Sequence, residues 1–261
     1  MAYFIGTAGW SIPKIVRDEF FPEGAVKPDH LKAYAEKFRG VEINSSFYRE
    51  HEPRTYTKWA KTTPDEFRFA IKLAKRFTHE QKLAVDASDL KVVLDGIFNL
   101  GEKLGVILVQ IPPKLAFNEA VAEEFFGSLR ELYQRAVALE PRHETWSERE
   151  ATKLLEEYRI ARVVADPDRL GEAPVIRSAD LCYYRLHGSP KIYYSDYTEK
   201  MLSSWAKAFK ADAEEKSEAW CIFDNTAEGH ATPNALRFQD LLRERPRGRA
   251  PRTTQAQMTL G

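Results

Sequence analysis

The chain is 261 residues long, 43% of them hydrophobic, and its 15 phenylalanines are ample material for the core of one large domain. Lysine plus arginine and aspartate plus glutamate both number 39, so the formal net charge of zero gives no general reason to expect binding to nucleic acid or membranes. No apolar run approaches the roughly 18 residues of a membrane span. Since no signal-peptide pattern opens the chain either, we expect a cytoplasmic protein.

Short apolar runs recur along the chain and predict eight β-strands. Most are rich in valine, isoleucine and leucine with little alternation, a pattern typical of parallel strands that are buried on both faces. The predicted strands cover residues 3–7, 41–44, 67–72, 106–110, 136–140, 162–166, 182–187 and 220–224.

Amphipathic helical patterns lie between most of these runs. Pro28 and Asp29 open one such helix, in which Leu31, Tyr34 and Phe38 share a face. Alternating strands and helices imply right-handed parallel crossovers. We therefore predict an α/β fold, a TIM-type (β/α)8 barrel that forms a single domain over residues 1–242.

Two segments depart from this regular alternation. Residues 167–180 contain two prolines, a glycine and no helical period, so the sixth helix is expected to be missing or vestigial. Residues 243–261 are rich in arginine, proline and glycine, and we expect this tail to be disordered.

Side-chain parity predicts a polar cluster at one end of the barrel. Alternate residues of a barrel strand face the axis, and active sites form where the strands end. On this basis seven of the eight predicted strands end in an inward polar or ionisable residue. The inward residues are Glu42, Asn44, Lys72, Gln110, Glu140, Asp166, Arg185, His187 and Asp224. Burying so many ionisable groups is costly without a use, so we interpret this end as a functional pocket.

The residue types in this pocket suit acid–base chemistry. Clustered carboxylates push one another's pKa values apart and so provide one acid and one base. Glu42 and Glu140 are the first candidates, although a structural salt bridge is an equal alternative for either. His143 or His187 would carry the proton, and Asp166 completes the candidate catalytic set.

Cationic and aromatic side chains near the strand ends indicate a class of ligand. Lys72, Arg142 and Arg185 could hold a phosphate or carboxylate of a substrate. Trp10 and Trp146 could stack on a sugar or a base, or they could seal the top of the barrel. Asn44 and Gln110 are further candidates for substrate binding.

A divalent metal is an open alternative at the same place. Glu140, Asp166, His187 and Asp224 would supply the carboxylates and imidazole that suit Mg²⁺, Mn²⁺ or Zn²⁺. In the competing interpretation, neighbouring lysine and arginine side chains pair with the carboxylates and leave no room for an ion. The spacing is not a tight metal motif, so the ionic arrangement is favoured.

Several strings of residues carry a family resemblance. They include Gly6-Thr7-Ala8-Gly9-Trp10, Val41-Glu42-Ile43-Asn44, Gln110-Ile111-Pro112-Pro113, Glu140-Pro141-Arg142-His143, Arg185-Leu186-His187-Gly188 and Asp224-Asn225. Together they resemble the YecE-like proteins, known as domain of unknown function 72, over nearly the whole chain. The resemblance implies a xylose-isomerase-like barrel and places Asn225 and His143 in the shared pocket. It implies no particular activity.

Two hypotheses about function remain. The first is a hydrolase, isomerase or lyase acting on an anionic substrate that contains phosphate or sugar. The second is a non-catalytic module that binds nucleic acid or a nucleotide, with the arginine-rich tail supplying electrostatic affinity. Residues 257–261 also resemble a sliding-clamp docking peptide without its closing phenylalanine, so clamp docking is not favoured.

Overall fold

Short parallel strands alternate with helices in the computed structural model, which describes residues 2–21, 23, 29–168, 170, 176 and 178–244. Each predicted apolar run forms a strand within two residues of its expected bounds, and the predicted sixth strand is divided in two. The strands are β1 (Ala2–Thr7), β2 (Gly40–Ile43), β3 (Arg68–Lys72), β4 (Leu104–Gln110), β5 (Ala136–Glu140), β6 (Ala161–Arg162), β7 (Val164–Asp166), β8 (Leu181–Leu186) and β9 (Glu218–Phe223).

Helices cover the strands, and several begin at a residue whose side chain caps them. The side chains of Asp29, Asp86, Asn118 and Thr198 each accept a hydrogen bond from an N–H group in the first turn of the helix that follows them. The α-helices are α1 (Arg17–Phe20), α2 (His30–Lys37), α3 (Ser45–Tyr48), α4 (Pro53–Thr62), α5 (Ala87–Ile97), α6 (Glu119–Leu132), α7 (Arg149–Glu157), α8 (Glu199–Ala213) and α9 (Ala231–Arg243). Short 3-10 helices cover Lys14–Val16, Phe98–Lys103 and Glu144–Ser147, and a π-helix covers Arg76–Glu80.

The strands form two parallel sheets, one with the order β2-β3-β4-β5-β6 and one with the order β1-β9-β8-β7. The chain passes from one sheet to the other at Val163. Before this residue β6 pairs with β5, and after it β7 pairs with β8. This division explains why a single predicted strand becomes two.

At the other edges of the two sheets, away from Val163, β1 and β2 meet through few backbone contacts. Ala8 and Glu42 form an isolated parallel bridge, and the N–H of Gly9 donates to the carbonyl of Glu42 at 2.8 Å. Next to this bridge, the hydroxyl of Tyr34 accepts a hydrogen bond from the N–H of Thr7 at 2.9 Å. The same hydroxyl donates to the carbonyl oxygen of Gly40 at 3.2 Å. A buried hydroxyl therefore takes the place of ladder hydrogen bonds. The α/β fold with parallel strands is confirmed, but the strand ladder is not closed.

Large side chains fill the interior beneath the carboxyl ends of the strands. Trp220 of β9 stacks on Phe4 with ring centroids 4.7 Å apart and on Tyr183 at 6.1 Å. Its ring approaches Gly40 and Gly105 so closely that a β-carbon at either position would lie about 3 Å or less from it. This packing closes the interior and leaves the opposite end for polar groups.

The two irregular segments lie partly outside the described residues. Between β7 and β8, the described residues 167, 168, 170, 176 and 178–180 form no helix, and the rest of that segment falls outside them. Of the predicted tail, only residues 243 and 244 are described, and the docking peptide at 257–261 is outside. No helix among the described residues is long and apolar enough to cross a bilayer.

We expect Gly6→Ala to destabilise the protein by about 2–3 kcal/mol, at the upper end of typical overpacking costs. A β-carbon at Gly6 would lie 2.0 Å from the carbonyl oxygen of Gly40 and 2.8 Å from the Tyr34 hydroxyl, so β1 and β2 would have to separate. Urea unfolding measures the change. The matched control is Gly96→Ala in α5, where the added carbon meets nothing within 4 Å and should stabilise by about 0.5–1 kcal/mol. Equal effects of the two substitutions would contradict the close approach.

Candidate functional site

Six ionisable side chains from five strands converge in the interior at the carboxyl ends of the strands. All six are buried, and we call them the strand-end cluster. Its members are Glu42 of β2, Lys72 of β3, Glu140 of β5, Arg185 of β8, His187 directly after β8 and Asp224 directly after β9. The inward parity of the sequence brings these side chains to one place because each strand contributes its last inward position.

Arg185 lies at the centre of the cluster and is 0% exposed. Its Nε and Nη2 donate to the two carboxylate oxygens of Glu42 at 3.0 and 2.7 Å. Nη1 donates to Glu140, and Nη2 also donates to Asp224 at 3.1 Å. Burial would lower the pKa of Arg185, but the three carboxylates raise it well above its ordinary value. The guanidinium is therefore a permanent buried charge.

His187 is held between two carboxylates. Its Nδ1 lies 2.9 Å from Oδ2 of Asp224, and its Nε2 lies 3.1 Å from Oε1 of Glu140. Burial would lower the pKa of His187, but the contacts with Glu140 and Asp224 together outweigh it and raise the pKa above 6.5. Burial would likewise raise the pKa values of both carboxyls, but Arg185 and His187 hold them below their ordinary range. The arrangement favours an imidazolium between two ionised carboxylates.

Arg142 marks the outer edge of the cluster, with a side chain that is 18% exposed. Its Nε and Nη2 donate to Oε1 of Glu140 at 3.2 and 3.0 Å. A cavity of about 20 Å³ opens here, lined by Glu140, Arg142, His187 and Ile192 among others, and it has room for about one water molecule. Larger cavities of about 450 and 310 Å³ lie elsewhere and are lined by no member of the cluster.

Tyr193 covers part of the cluster from the loop after β8. Its ring packs edge-on against the ring of His187 with centroids 5.9 Å apart, and its N–H donates to the carbonyl of His187 at 2.6 Å. The backbone of Tyr193 has a φ of 72°, an uncommon value for a residue other than glycine. Because the side chain is 38% exposed, this tyrosine lies between the buried charges and solvent. A loop in this position can act as a lid.

Lys72 differs from the other members of the cluster. It is 6% exposed, yet its Nζ makes no hydrogen bond or ion pair with the described residues and lies 4.1 Å from the centre of the Phe47 ring. Burial lowers the pKa of Lys72, and Arg185 lowers it further. Glu42 and the other two carboxylates offset part of this effect, and the resulting pKa is about 8. His79 also packs on Phe47, with ring centroids 5.0 Å apart.

Two predicted roles do not fit this geometry. Both carboxylate oxygens of Glu42 accept from Arg185, and Oε2 also accepts from the Tyr183 hydroxyl at 2.9 Å. Glu42 is 0% exposed and, unlike Glu140, does not line the cavity beside His187, so its position fits a structural salt bridge better than the role of an acid or base. Arg185 is saturated by three carboxylates and is not available as an anion clamp. Of the predicted cations, Arg142 and Lys72 remain for that task.

Both predicted tryptophans lie apart from the cluster. Trp146 is 1% exposed, its Nε1 donates to the carbonyl of Leu115 at 3.0 Å, and it packs on Phe117. This position fits the alternative in which Trp146 seals the core rather than the one in which it stacks on a ligand. Trp10 is half-buried and packs edge-on against Trp59, with ring centroids 5.0 Å apart. Part of its ring is therefore in contact with another side chain of the protein.

The remaining predicted residues flank the cluster or support it. His143 caps the 3-10 helix Glu144–Ser147 and pairs with Thr145 rather than with a carboxylate. Asn225 is fully buried and donates to the carbonyl of Ser195 and to Asn234, so it ties the loop after β8 to α9. Three further predicted residues each have one buried polar side-chain atom that forms no hydrogen bond with the described residues. Such an atom is available to a ligand. These residues are Asn44, Gln110 and Asp166.

The geometry also bears on the metal alternative. Among the described residues, no group of three or more His, Cys, Asp or Glu side chains is arranged to hold a metal ion. Glu140 and Asp224 direct their carboxylates toward Arg185 and His187, as the ionic interpretation expected of arginine, whereas Lys72, which that interpretation also paired with a carboxylate, makes no ion pair with the described residues. The predicted metal set, which also included Asp166, is therefore not supported.

Sequence reasoning missed three aromatic contacts of the cluster. Tyr183 has the same inward parity as Arg185, so its bond to Glu42 could have been found from the period of β8. Phe47 and Tyr193 lie in a short helix and a loop, where strand parity gives no direction.

Comparison with known proteins relates the whole chain to one family. A family model described as "Protein of unknown function DUF72" matches residues 4–258. The UPF0759 protein YunF of Bacillus subtilis (strain 168) is 23% identical over 279 residues, which cover 95% of this chain and 98% of that protein. The UPF0759 protein YecE of Escherichia coli (strain K12) is 28% identical over 119 residues, 46% of this chain and 41% of that protein. A crystal structure of a DUF72 family protein from Thermotoga maritima MSB8 has 27% identity and a TM-score of 0.77, covering 94% of this chain and 100% of that one.

We expect Arg185→Met to cost about 3–5 kcal/mol of unfolding free energy at neutral pH, because it leaves three buried carboxylates without their cation. The deficit relative to the wild type should shrink at about pH 4.5, because carboxyls left without the cation then regain protons, whereas the lowered pKa values of Glu140 and Asp224 keep these two groups ionised in the wild type. Urea unfolding at both pH values measures this. Arg237→Met is the control, because Arg237 forms an exposed pair with Glu199 and its loss should cost less than about 1 kcal/mol. A neutral-pH loss no larger than that of the control would contradict the central role of Arg185.

The two histidines near the cluster should titrate on opposite sides of 6.5. Glu140 raises the pKa of His187 despite burial, whereas burial, Lys72 and Arg142 lower the pKa of His79. The stabilisation that His187 gains from its carboxylates is thus complete below about pH 6.5 and is lost as pH rises through its folded pKa. NMR titration of the imidazole protons tests this order. In Glu140→Gln the pKa of His187 should fall and that of His79 should stay, and a His187 pKa below that of His79 in the wild type would refute the arrangement.

Proposed function

We propose that this chain, which belongs to the DUF72 family, is an enzyme that performs acid–base chemistry on a small anionic substrate at the carboxyl ends of its strands. The reaction class is hydrolysis, isomerisation or elimination, and the substrate contains a phosphate or sugar group. The single observation that carries the proposal is the imidazole of His187, bonded through both nitrogens to carboxylates at the edge of a cavity.

We also propose that the two parallel sheets work as one TIM-type (β/α)8 barrel of the xylose-isomerase-like kind. Three contacts support this. The chain crosses directly between sheets at Val163, Ala8 bridges Glu42 on the other side, and Trp220 fills the space enclosed between them. Active sites of such barrels lie at the carboxyl ends of the strands, where the strand-end cluster is found.

In this proposal His187 donates the proton and Glu140 accepts one. Asp224 holds Nδ1 and so fixes the orientation of the ring, while Nε2 faces Glu140 at the cavity. A substrate oxygen that displaces the Nε2 contact would receive a proton from an imidazolium whose pKa is raised. Glu140, released from His187, is then an ionised base beside the same substrate.

The charge balance of the cluster supports an anionic substrate. Arg142, Arg185, Lys72 and protonated His187 face three carboxylates, so the strand-end cluster taken together with Arg142 carries one excess positive charge when fully charged. Arg142 is the most exposed of these cations, and its planar guanidinium suits a phosphate or carboxylate. The alternative of nucleic-acid binding depends on the tail, which lies outside the described residues, and gains no support from the described part of the chain.

A panel of sugar phosphates and sugar acids, followed by NMR, tests the proposal. We expect the wild type to turn over a member of the panel, and His187→Asn and Glu140→Gln each to lower the rate about 10²–10⁴-fold, as for loss of a positioned acid or base. Arg142→Lys should chiefly raise KM, because one point charge replaces a two-pronged contact.

The control is Glu144→Gln, which removes an exposed carboxylate shortly after β5, the strand that carries Glu140. This substitution should leave turnover unchanged. Folded His187→Asn and Glu140→Gln variants with wild-type turnover would reject the assignment. A panel that is neither turned over nor able to shift the His187 ring signals would reject the substrate class.

A further inference from the structure

Of the charged groups in the strand-end cluster, only the amine of Lys72 forms no hydrogen bond with the residues that the structure describes. Arg185, Glu42, Glu140, His187 and Asp224 are each bonded to at least one other member. Lys72 is buried like them, at 6% exposed, yet its Nζ has no hydrogen-bond or ion-pair partner among the described residues and lies 4.1 Å from the centre of the Phe47 ring. A lysine that served only to neutralise the carboxylates would be expected to pair with one of them.

We propose that Nζ of Lys72 is a nucleophile that forms an imine with the substrate, so that the substrate is an aldehyde or ketone bearing an anionic group. This inference rests on the proposed function and narrows it to carbonyl chemistry. Two geometric observations carry it: the amine forms no ion pair with the described residues, and it shares the strand-end cluster with Glu140 and His187, which can move protons.

The charges around Lys72 come from every side of the interior. Glu42 on β2, Glu140 on β5 and Asp224 after β9 favour the ammonium, whereas Arg185 on β8 and burial favour the neutral amine. Burial and Arg185 prevail, and the pKa of Lys72 falls to about 8. At pH 7 about one-tenth of the amine is then neutral, compared with less than about one-thousandth for an ordinary lysine. Burial beside another cation is a recognised way to activate a lysine nucleophile.

The imine step balances with groups already in the cluster. The Nζ lone pair forms a bond to the carbonyl carbon, the C=O π electrons move onto oxygen, and that oxygen takes a proton from the His187 imidazolium. The added nitrogen loses a proton to Glu140. Glu140 then returns this proton to the resulting hydroxyl, and the nitrogen lone pair forms the C=N bond as the C–O bond breaks and water leaves. Overall, a neutral amine, a carbonyl and one proton give a protonated imine and water.

The protonated imine carries the same single positive charge as the ammonium of Lys72. The carboxylates of Glu42, Glu140 and Asp224 that favour the ammonium therefore also favour the imine, and no new charge has to be buried. The imine withdraws electrons from the neighbouring carbon, so Glu140 could remove a proton there or assist cleavage of a bond to it. The imine therefore defines the substrate carbon on which the acid–base pair of His187 and Glu140 acts.

Reductive trapping on the full chain tests the inference. The probe is glyoxylate, an aldehyde with a carboxylate, used with sodium cyanoborohydride at pH 7, and peptide mass mapping reads out each lysine. We expect Lys72 to be modified at least about tenfold faster than exposed Lys58 and ion-paired Lys91, because more of it is neutral. Its rate should rise with a midpoint near pH 8, the pKa given by burial and Arg185, whereas the exposed lysines should rise near about pH 10.4.

Two comparisons separate a reactive amine from a structural one. Acetaldehyde, which has no charge, should show a smaller preference for Lys72 than glyoxylate does, because only the part that follows from the neutral amine remains, and it should react with Lys58 as glyoxylate does. Arg142→Lys should reduce only the preference for glyoxylate. Modification of Lys72 no faster than that of Lys58 in the folded protein would overturn the inference, because an amine that merely balances charge would be protected by burial.

The outcome is distinguishable from failure of the proposed function. Preferential trapping of Lys72 together with wild-type turnover in His187→Asn would retain the nucleophile and reject the acid–base assignment. Turnover that depends on His187 but survives in a folded Lys72→Arg variant, with no trapping, would retain the enzyme and reject the imine.

Discussion

The arrangement of this protein depends on one guanidinium buried among three carboxylates. Glu42 and Glu140 belong to the five-stranded sheet, whereas Arg185 and Asp224 belong to the four-stranded sheet. The ionic bonds therefore run between sheets whose backbone ladders do not meet continuously. Any one of the three carboxylates would be costly to bury alone. Arg185 makes their burial possible and joins the two sheets at the end where the site lies.

Strand parity predicted much of the candidate site because it depends only on a period of two. Lys72 and Glu140 could be placed inward from their own strands, since large apolar residues occupy the alternate positions. Parity gives the direction of a side chain and not its partner. Glu42 and Arg185 are 143 residues apart, so nothing local reveals that they satisfy each other. The same limit applies to Trp146, whose role depends on the carbonyl of Leu115 in a different loop.

The fold was predictable to the level of parallel strands alternating with helices, because apolar runs and helix caps are local features. Caps at Asp29 and Thr198 are of this kind. The division of the sixth strand at Val163 was not predictable, since it depends on which neighbour each half of the strand pairs with. The Tyr34 hydroxyl that stands between β1 and β2 was equally hidden, because the helical period explains the same tyrosine as a core residue.

The pairing of β1 has a consequence for the order in which the chain can fold during synthesis. β1 is translated first, but its continuous ladder is with β9, from Ala2 beside Glu218 to Thr7 beside Phe223. Its contacts with β2, the next strand to leave the ribosome, are one bridge and a side-chain hydroxyl. The nascent chain must therefore hold an unpaired strand until more than 200 further residues have been made. Pairing of the first strand is therefore a long-range event, of the kind that is intrinsically slow in folding.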